Sequence, residues 1–343
     1  MTGEPGPGSE STLARGPRRV VALGGGTGMP AVLRGLRAIV PGEDTTAITA
    51  VVTMTDDGGS SGRLRRTRGL PPPGDVRNCL VALSPDEELL SGLFQHRYKG
   101  GSELSGHTVG NLILAALAEQ TGSFLKAVEV SAKVLRTRGR ILPATLEDVV
   151  LEAEMEDGTR VAGETRIAES GRRIRRIHLL PGDVPATPGV LSAILAADLV
   201  VLGPGSLFTS LVPNLVVQGI GEALRRTRAA VVFVTNLASE KGDSEGLDLI
   251  DHVEVIERHA GGEVVDAVLV HEGPIEGAIL SRYRDEGAEP LSWPPRGVSR
   301  LRVIRRDLLA PGQKLRHDPA RTAQGLLEAW ELVSTAPLVR VRA

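Results

Sequence analysis

Apolar residues along this chain fall into two alternating patterns. Short unbroken apolar runs end in glycine or other turn formers, as buried strands do. Each is followed by a stretch with apolar positions three and four apart, the spacing of an amphipathic helix. Val20–Leu23 is the first run, closed by glycines and followed by Leu33, Leu36 and Ile39 at helical spacing. Ile48–Met54 is a β-branched run that again ends in turn residues. Helices are predicted at Leu80–Leu83 and Thr108–Gln120, the second carrying Leu112, Ile113, Ala116 and Leu117. Further on, the pattern predicts a helix at Pro188–Ala197, a strand at Leu199–Leu202, a helix from about Leu215 to Arg226 and a strand at Ala230–Thr235. A strand near Ala267–Val270, a helix near Ile275–Glu286, a strand around Leu301–Ile304 and a helix at Pro319–Val333 complete it. Repeated β-then-α order implies an α/β protein, a mostly parallel sheet with helices on both faces.

Two regions break this rhythm. Residues 140–180 alternate apolar and polar positions, with Asp157-Gly158 as a hairpin turn, and predict a small antiparallel β insertion. Residues 1–17 are rich in Pro, Gly and Ser without periodicity and read as a disordered tail; residues 336–343 read as a C-terminal tail. Residues 18–335 then form a single α/β domain.

Composition narrows the class. The chain has 343 residues, of which 41% are hydrophobic and 24% charged, as in ordinary globular proteins. Phe 4, Trp 2 and Tyr 2 are too few for a single-strand stacking platform. Lys+Arg 40 against Asp+Glu 42 leaves no global basic field for nucleic acid or a membrane. A lone cysteine, Cys79, excludes a disulfide framework and a cysteine-based zinc site. No apolar run approaches the roughly 18 residues of a membrane span. The basic stretch before Val20 lacks a signal-peptide apolar core, so the expectation is a soluble cytoplasmic protein.

The chemistry lies where predicted strands end. Gly24-Gly25-Gly26-Thr27-Gly28 joins the first strand to a helix, where backbone N–H groups and the helix N-terminus can meet a phosphate. The same glycines also suit a tight turn. After the second strand comes Asp56-Asp57-Gly58-Gly59-Ser60-Ser61-Gly62-Arg63: Gly59, Ser60 and Ser61 can cradle anionic oxygens, Arg63 can fork onto a phosphate, and Asp56 with Asp57 can hold hydroxyls or Mg²⁺. Asp75 and Asn78 open another helix, where Asp75 also suits a cap. His107 and Asn111 open a third; His107 suits an acid/base, a phosphate donor or a cap-region hydrogen bonder. Gly205 and Ser206 follow Leu199–Leu202 and lead through Thr209 to Asn214, while Asn236 follows the Val231–Val234 run. These sites share the edge at which open α/β sheets bind ligands. No Walker A, H-E-x-x-H or G-x-S-x-G motif occurs, and no nucleophile–base pair stands out.

Taken in order, LGGGTG (23–28), TDDGGSSGRLR (55–65), PPGDVRNCLVALS (72–84), GHTVGNLILAAL (106–117), LGPGSLFTSLVPNL (202–215) and VTNLASEKGDSEG (234–246) resemble the bacterial gluconeogenesis factor family. That family is related to 2-phospho-L-lactate transferase. The resemblance implies a Rossmann-like fold, binding of UDP-sugars such as UDP-N-acetylglucosamine, and a role in cell shape on gluconeogenic carbon sources. It implies that Thr27 joins a diphosphate cradle, that Asn236 is a ligand contact, and that Tyr283 and Arg316 bind the UDP-sugar. Two departures stand out: Pro319 lies where some relatives carry a regulatory phosphothreonine, and Phe208 lies where many carry tyrosine.

The expected function is a non-catalytic UDP-sugar binder that signals to an unidentified cell-wall or morphogenesis protein. Fold analogy alone suggests a homodimer. The rival is a transferase that moves a phospholactyl-type group from a nucleotide diphosphate donor, with Asp56 and Asp57 on Mg²⁺. A nicotinamide-dependent oxidoreductase is disfavoured, because the Asp-Asp-Gly-Gly-Ser-Ser run sets a second anion cradle where a dehydrogenase needs a single acid.

Overall fold

The structure, a computed structural model, describes residues 16–40, 44–85, 89–101, 103–294 and 298–335. Residues 1–15 and the expected C-terminal tail at 336–343 lie outside the described residues. The chain begins β1 (Val20–Gly24), α1 (Met29–Ile39), β2 (Ile48–Val52), α2 (Gly59–Arg68), α3 (Gly74–Leu83), α4 (Leu89–Gln95), α5 (Val109–Thr121), α6 (Phe124–Val134) and β3 (Arg140–Pro143). A small unit follows, made of β4 (Val150–Met155), β5 (Arg160–Ala162), α7 (Glu164–Glu169) and β6 (Ile174–Leu180). The second half runs α8 (Val190–Ala196), β7 (Leu199–Leu202), a π-helical turn at Leu207–Leu211, α9 (Val212–Leu215), α10 (Ile220–Arg226) and β8 (Ala230–Val234). It closes with α11 (Leu249–Ala260), β9 (Ala267–His271), α12 (Gly277–Asp285), β10 (Arg302–Arg306) and α13 (Pro319–Thr335).

Seven strands form one sheet in the order β10-β9-β8-β7-β1-β2-β3, and every described pair is parallel. The five β1 side positions are all buried, and they alternate between two cores. Val20 and Ala22 face a layer with Leu33 and Leu36 of α1, Leu80 of α3 and Leu326 of α13. Val21 and Leu23 face Ile194 of α8, Leu224 of α10 and Ile256 of α11. Unbroken apolar runs such as Ala230–Val234 follow from this burial on both faces.

The antiparallel insertion is a three-stranded sheet, β5-β4-β6, with Gly158 at φ +81° in the β4–β5 turn. Two parts of the expected 140–180 insertion differ from that expectation. β3 is the edge strand of the main sheet, paired with β2. Residues 164–169, read as part of the alternating pattern, are helix α7. The helix expected from Leu215 starts at Ile220 instead, because Gly219 takes φ +85° and breaks the turn.

The chain leaves β1 toward β2 on one side and leaves β7 toward β8 on the other. The crevice between their carboxyl ends is the topological switch point of the sheet, where such folds bind ligands.

α1 and α13 cross closely beside this crevice. A Cβ on Gly35 of α1 would stand 2.3 Å from the carbonyl oxygen of Pro319, the first residue of α13. Gly35→Ala is expected to lower stability by about 1–3 kcal/mol through overpacking, read as a lower urea midpoint at unchanged slope. An unchanged midpoint would show that the helices part freely.

Candidate functional site

The glycine loop after β1 is shaped by what surrounds it. Gly25 has no room for a side chain, since a Cβ would meet Thr53 at 2.5 Å and the Asp75 carboxylate at 2.8 Å. Gly26 takes φ +65°, and its N–H donates to Asp75 Oδ2 at 2.6 Å. Gly28 passes under the β7 loop, where a Cβ would lie 2.8 Å from the Pro204 carbonyl oxygen. Asp75 therefore fastens the loop to the first turn of α3 rather than facing solvent. Burial pushes its carboxyl up to about 6, against the Gly26 hydrogen bond.

Across the crevice, Asn236 holds the β7 loop from both sides. Its Oδ1 accepts from Gly205 N at 2.9 Å, and its Nδ2 donates to the Gly205 carbonyl at 3.0 Å. Ser206 Oγ donates to Glu240. Asp243 accepts the N–H of Phe208 at 3.1 Å at the start of the π-helical turn, and burial raises it to about 7. Two expected contacts are structural. Asn214 is fully buried and donates to the carbonyls of Gly24, Ser210 and Leu211, pinning the end of β1. Thr209 is buried, and its carbonyl accepts from Thr55.

Between these loops lies a cavity of about 730 Å³. Gly26, Thr27, Gly28, Asn78, Gly205, Ser206, Asn236, Tyr283 and Arg316 all line it. Tyr283 Oη accepts from Leu315 N at 3.1 Å, so the tyrosine steadies the segment that carries Arg316. The Arg316 guanidinium is exposed to the cavity and has no partner among the described residues. Sequence reasoning missed Arg34 of α1 and Lys241, which add two further cations to the walls, and the acids Glu240 and Glu286. An arginine on the outer turn of a helix reads as solvated, so nothing in the pattern marks Arg34.

The second cradle sits beside the cavity rather than in its lining. Asp56 Oδ1 accepts from Gly58 N, while Asp57 Oδ1 accepts from both Thr165 N (3.0 Å) and Thr165 Oγ1 (2.6 Å) in the first turn of α7. Asp57 thus ties the insertion to the main sheet. Ser61 Oγ accepts from Gly74 N, and Arg63 donates to the Ser105 carbonyl. Gly59 is exposed at φ +45°. Ser60, His107 and Asn111 are joined in a hydrogen-bonded cluster with buried Arg77.

The insertion also supplies Glu164, which sequence reasoning passed over as a strand residue. Burial, followed by the nearby charges of Asp56, Asp75, Asp57 and Asp243, raises its carboxyl to about 9. Among the described residues no three His, Cys, Asp or Glu side chains are grouped to hold a metal ion. Asp56 and Asp57 turn one oxygen each to separate partners, so Mg²⁺ on this pair would need phosphate oxygens to complete its shell.

A family profile described as 2-phospho-L-lactate transferase CofD matches residues 20–309. The chain belongs to the CofD family. It is 43% identical over 322 residues to a protein named gluconeogenesis factor from Halalkalibacterium halodurans, covering 93% of this chain and 98% of that one. It is 42% identical over 313 residues to the gluconeogenesis factor of Bacillus subtilis, covering 90% and 97%. A crystal structure of a UPF0052 family member from Bacillus halodurans superposes with a TM-score of 0.86 at 42% identity, covering 90% of this chain and 99% of that one. The resemblance read from the motifs and the α/β fold class are both met by these matches. No helix among the described residues is long and apolar enough to cross a membrane.

The raised carboxyls carry a pH consequence. Glu164 is higher in the folded chain than its unfolded value of 4.5, so its stabilisation is complete below that value and is lost as pH rises toward about 9. Glu164→Gln keeps the shape without the ionisation. Its urea midpoint is expected to gain on wild type progressively between about pH 5 and about pH 9. A difference that stays flat over this range would contradict a protonated Glu164.

Proposed function

We propose that this chain binds a UDP-sugar of the UDP-N-acetylglucosamine type in the crevice at the β1–β7 switch point, and that it acts as a cytoplasmic regulator of cell shape under gluconeogenic growth. The observation that carries the reading is the Arg316 guanidinium, without a partner among the described residues, at a cavity that two glycine-rich loops also line. A planar guanidinium can fork onto a diphosphate, and the loops let backbone approach it closely. Arg34 and Lys241 add charge of the right sign. A volume of about 730 Å³ is within the range of ordinary ligand pockets. The names of the relatives support the gluconeogenic setting. In this reading the bound state is passed to a cell-wall or morphogenesis protein, with the chain as a homodimer.

The second reading is a phospholactyl-type transfer from a nucleotide diphosphate donor. It is favoured by the description of the matching family profile and by Asp56, Asp75 and Glu164 gathered next to the cavity. Asp56 would hold Mg²⁺ in that case, with Asp57 contributing the oxygen not used by Thr165.

Calorimetric titration with UDP-N-acetylglucosamine, GDP and NAD, with and without Mg²⁺, separates the readings. UDP-N-acetylglucosamine is expected to bind without Mg²⁺, and Arg316→Ala to weaken it about tenfold or more, as loss of a charged hydrogen-bond donor does. No binding of the UDP-sugar at millimolar concentration would overturn the first reading. An unchanged affinity in the variant would remove Arg316 from the site.

A further inference from the structure

Beside the cavity, a set of hydrogen bonds around His107 runs in a single direction. Arg77 of α3 is 5% exposed, and a guanidinium has donors and no acceptor. Its Nη1 donates to Asn111 Oδ1 at 3.0 Å, which fixes the amide of Asn111. Nδ2 of Asn111 then donates to Ser60 Oγ at 3.0 Å. Ser60 Oγ could accept twice, but Ser60 is buried, and among the described hydrogen bonds its own hydrogen has no acceptor other than Nδ1 of His107, at 2.9 Å, so the hydroxyl donates there. A neutral imidazole that accepts at Nδ1 carries its proton on Nε2.

We propose that Arg77, Asn111 and Ser60 are positioning residues that hold His107 as the Nε2–H tautomer, so that it offers a fixed N–H to an acceptor oxygen of a phosphoryl-bearing ligand. His107 is half-buried, and its Nε2 has no partner among the described residues. Burial, followed by the charges of Arg63 and Arg97, holds its pKa below the ordinary imidazole value, the direction that favours the neutral ring needed to accept at Nδ1. The same guanidinium acts on the cavity wall through Asn78. Arg77 Nη2 donates to Asn78 Oδ1 at 2.7 Å, where Gln95 Nε2 also donates at 3.4 Å. With Oδ1 taken, Asn78 can present only its amide N–H groups to the cavity that it lines. A single buried charge therefore makes donors of two side chains, one in the cavity wall and one on the adjacent shelf. Both are left with N–H groups to offer an anionic ligand. The inference rests on the nucleotide-sugar reading only for the identity of the ligand; the tautomer belongs to the ligand-free protein.

Two-bond proton–nitrogen NMR on ¹⁵N-labelled protein at about pH 7.5 tests it, with His107→Gln identifying the His107 signals. The expected pattern has a protonated Nε2 and an unprotonated Nδ1. Ser60→Ala is expected to relax it to a mixture of tautomers, and Ser60→Thr, which keeps the hydroxyl, to restore it. A protonated Nδ1, or a charged ring, in wild type would overturn the proposal, and this result is available even if Ser60→Ala does not fold. In a second arm, UDP-N-acetylglucosamine and pyrophosphate are added while the Nε2 signal is followed, and at least one is expected to shift it. His107→Phe is expected to weaken that ligand by about threefold to tenfold. If UDP-N-acetylglucosamine binds by calorimetry and neither probe moves Nε2, the donor role of His107 fails while the UDP-sugar reading stands. If pyrophosphate moves Nε2 and the UDP-sugar does not bind, the converse holds.

Discussion

The site depends on the divergence of the chain at β1 and β7. These two strands are neighbours in the sheet and parallel, yet their continuations leave in opposite directions. Since each crossover covers its own side, no helix closes the gap above their carboxyl ends. The loops that border the gap cannot drift apart either. Gly28 passes under Pro204, Asn214 holds the carbonyl of Gly24, and Asn236 grips Gly205 by both its N–H and its C=O. The buried polar side chains of this region serve mainly to keep two backbone segments at a fixed spacing.

Charge is distributed unevenly around that crevice. Cations reach it from surface elements, Arg34 from α1, Lys241 from the loop after β8 and Arg316 from the segment before α13. Acids gather beneath and beside it, where Asp75, Asp243 and Glu164 are raised to about 6, 7 and 9 by burial. Of these only Glu164, at about 9, stays protonated at neutral pH and so does not repel a diphosphate, while Asp75, at about 6, is mostly ionised there and directs its charge to the Gly26 N–H. The small antiparallel sheet enters this balance directly. Through Thr165 it neutralises the hydrogen-bonding demand of Asp57, and through Glu164 it adds an acid to the cluster.

Much of the fold was legible because it rests on local periodicity. The runs at Val20–Leu23, Leu199–Leu202 and Ala230–Val234 are buried on both faces and read as strands because glycines close the first two and Thr235-Asn236 the third. β3 was misplaced because Arg140–Pro143 adjoins the alternating insertion, and its partner β2 lies far back in the chain. In the site, the glycine loops were visible for a steric reason that the structure repeats, as a Cβ at Gly25 or Gly28 would collide with neighbours. The direction of polar side chains was not visible. Asn214 and Thr209 occupy a stretch that looks ligand-facing in sequence, but the π-helical turn buries Thr209 and α9 buries Asn214, whose amide satisfies carbonyls. Arg77 was hidden for a related reason, since a charged residue on a helix reads as solvated and this one is buried as a donor hub.

The central claim is that the switch-point crevice holds a nucleotide sugar. A crystal structure of the protein grown with UDP-N-acetylglucosamine tests it most directly. The account predicts density for the diphosphate over Gly26–Gly28 and Gly205-Ser206, within hydrogen-bonding distance of the Arg316 guanidinium, with Tyr283 lining the same ligand. A nucleotide bound elsewhere on the chain, or in this crevice with Arg316 turned away from the phosphates, would contradict it.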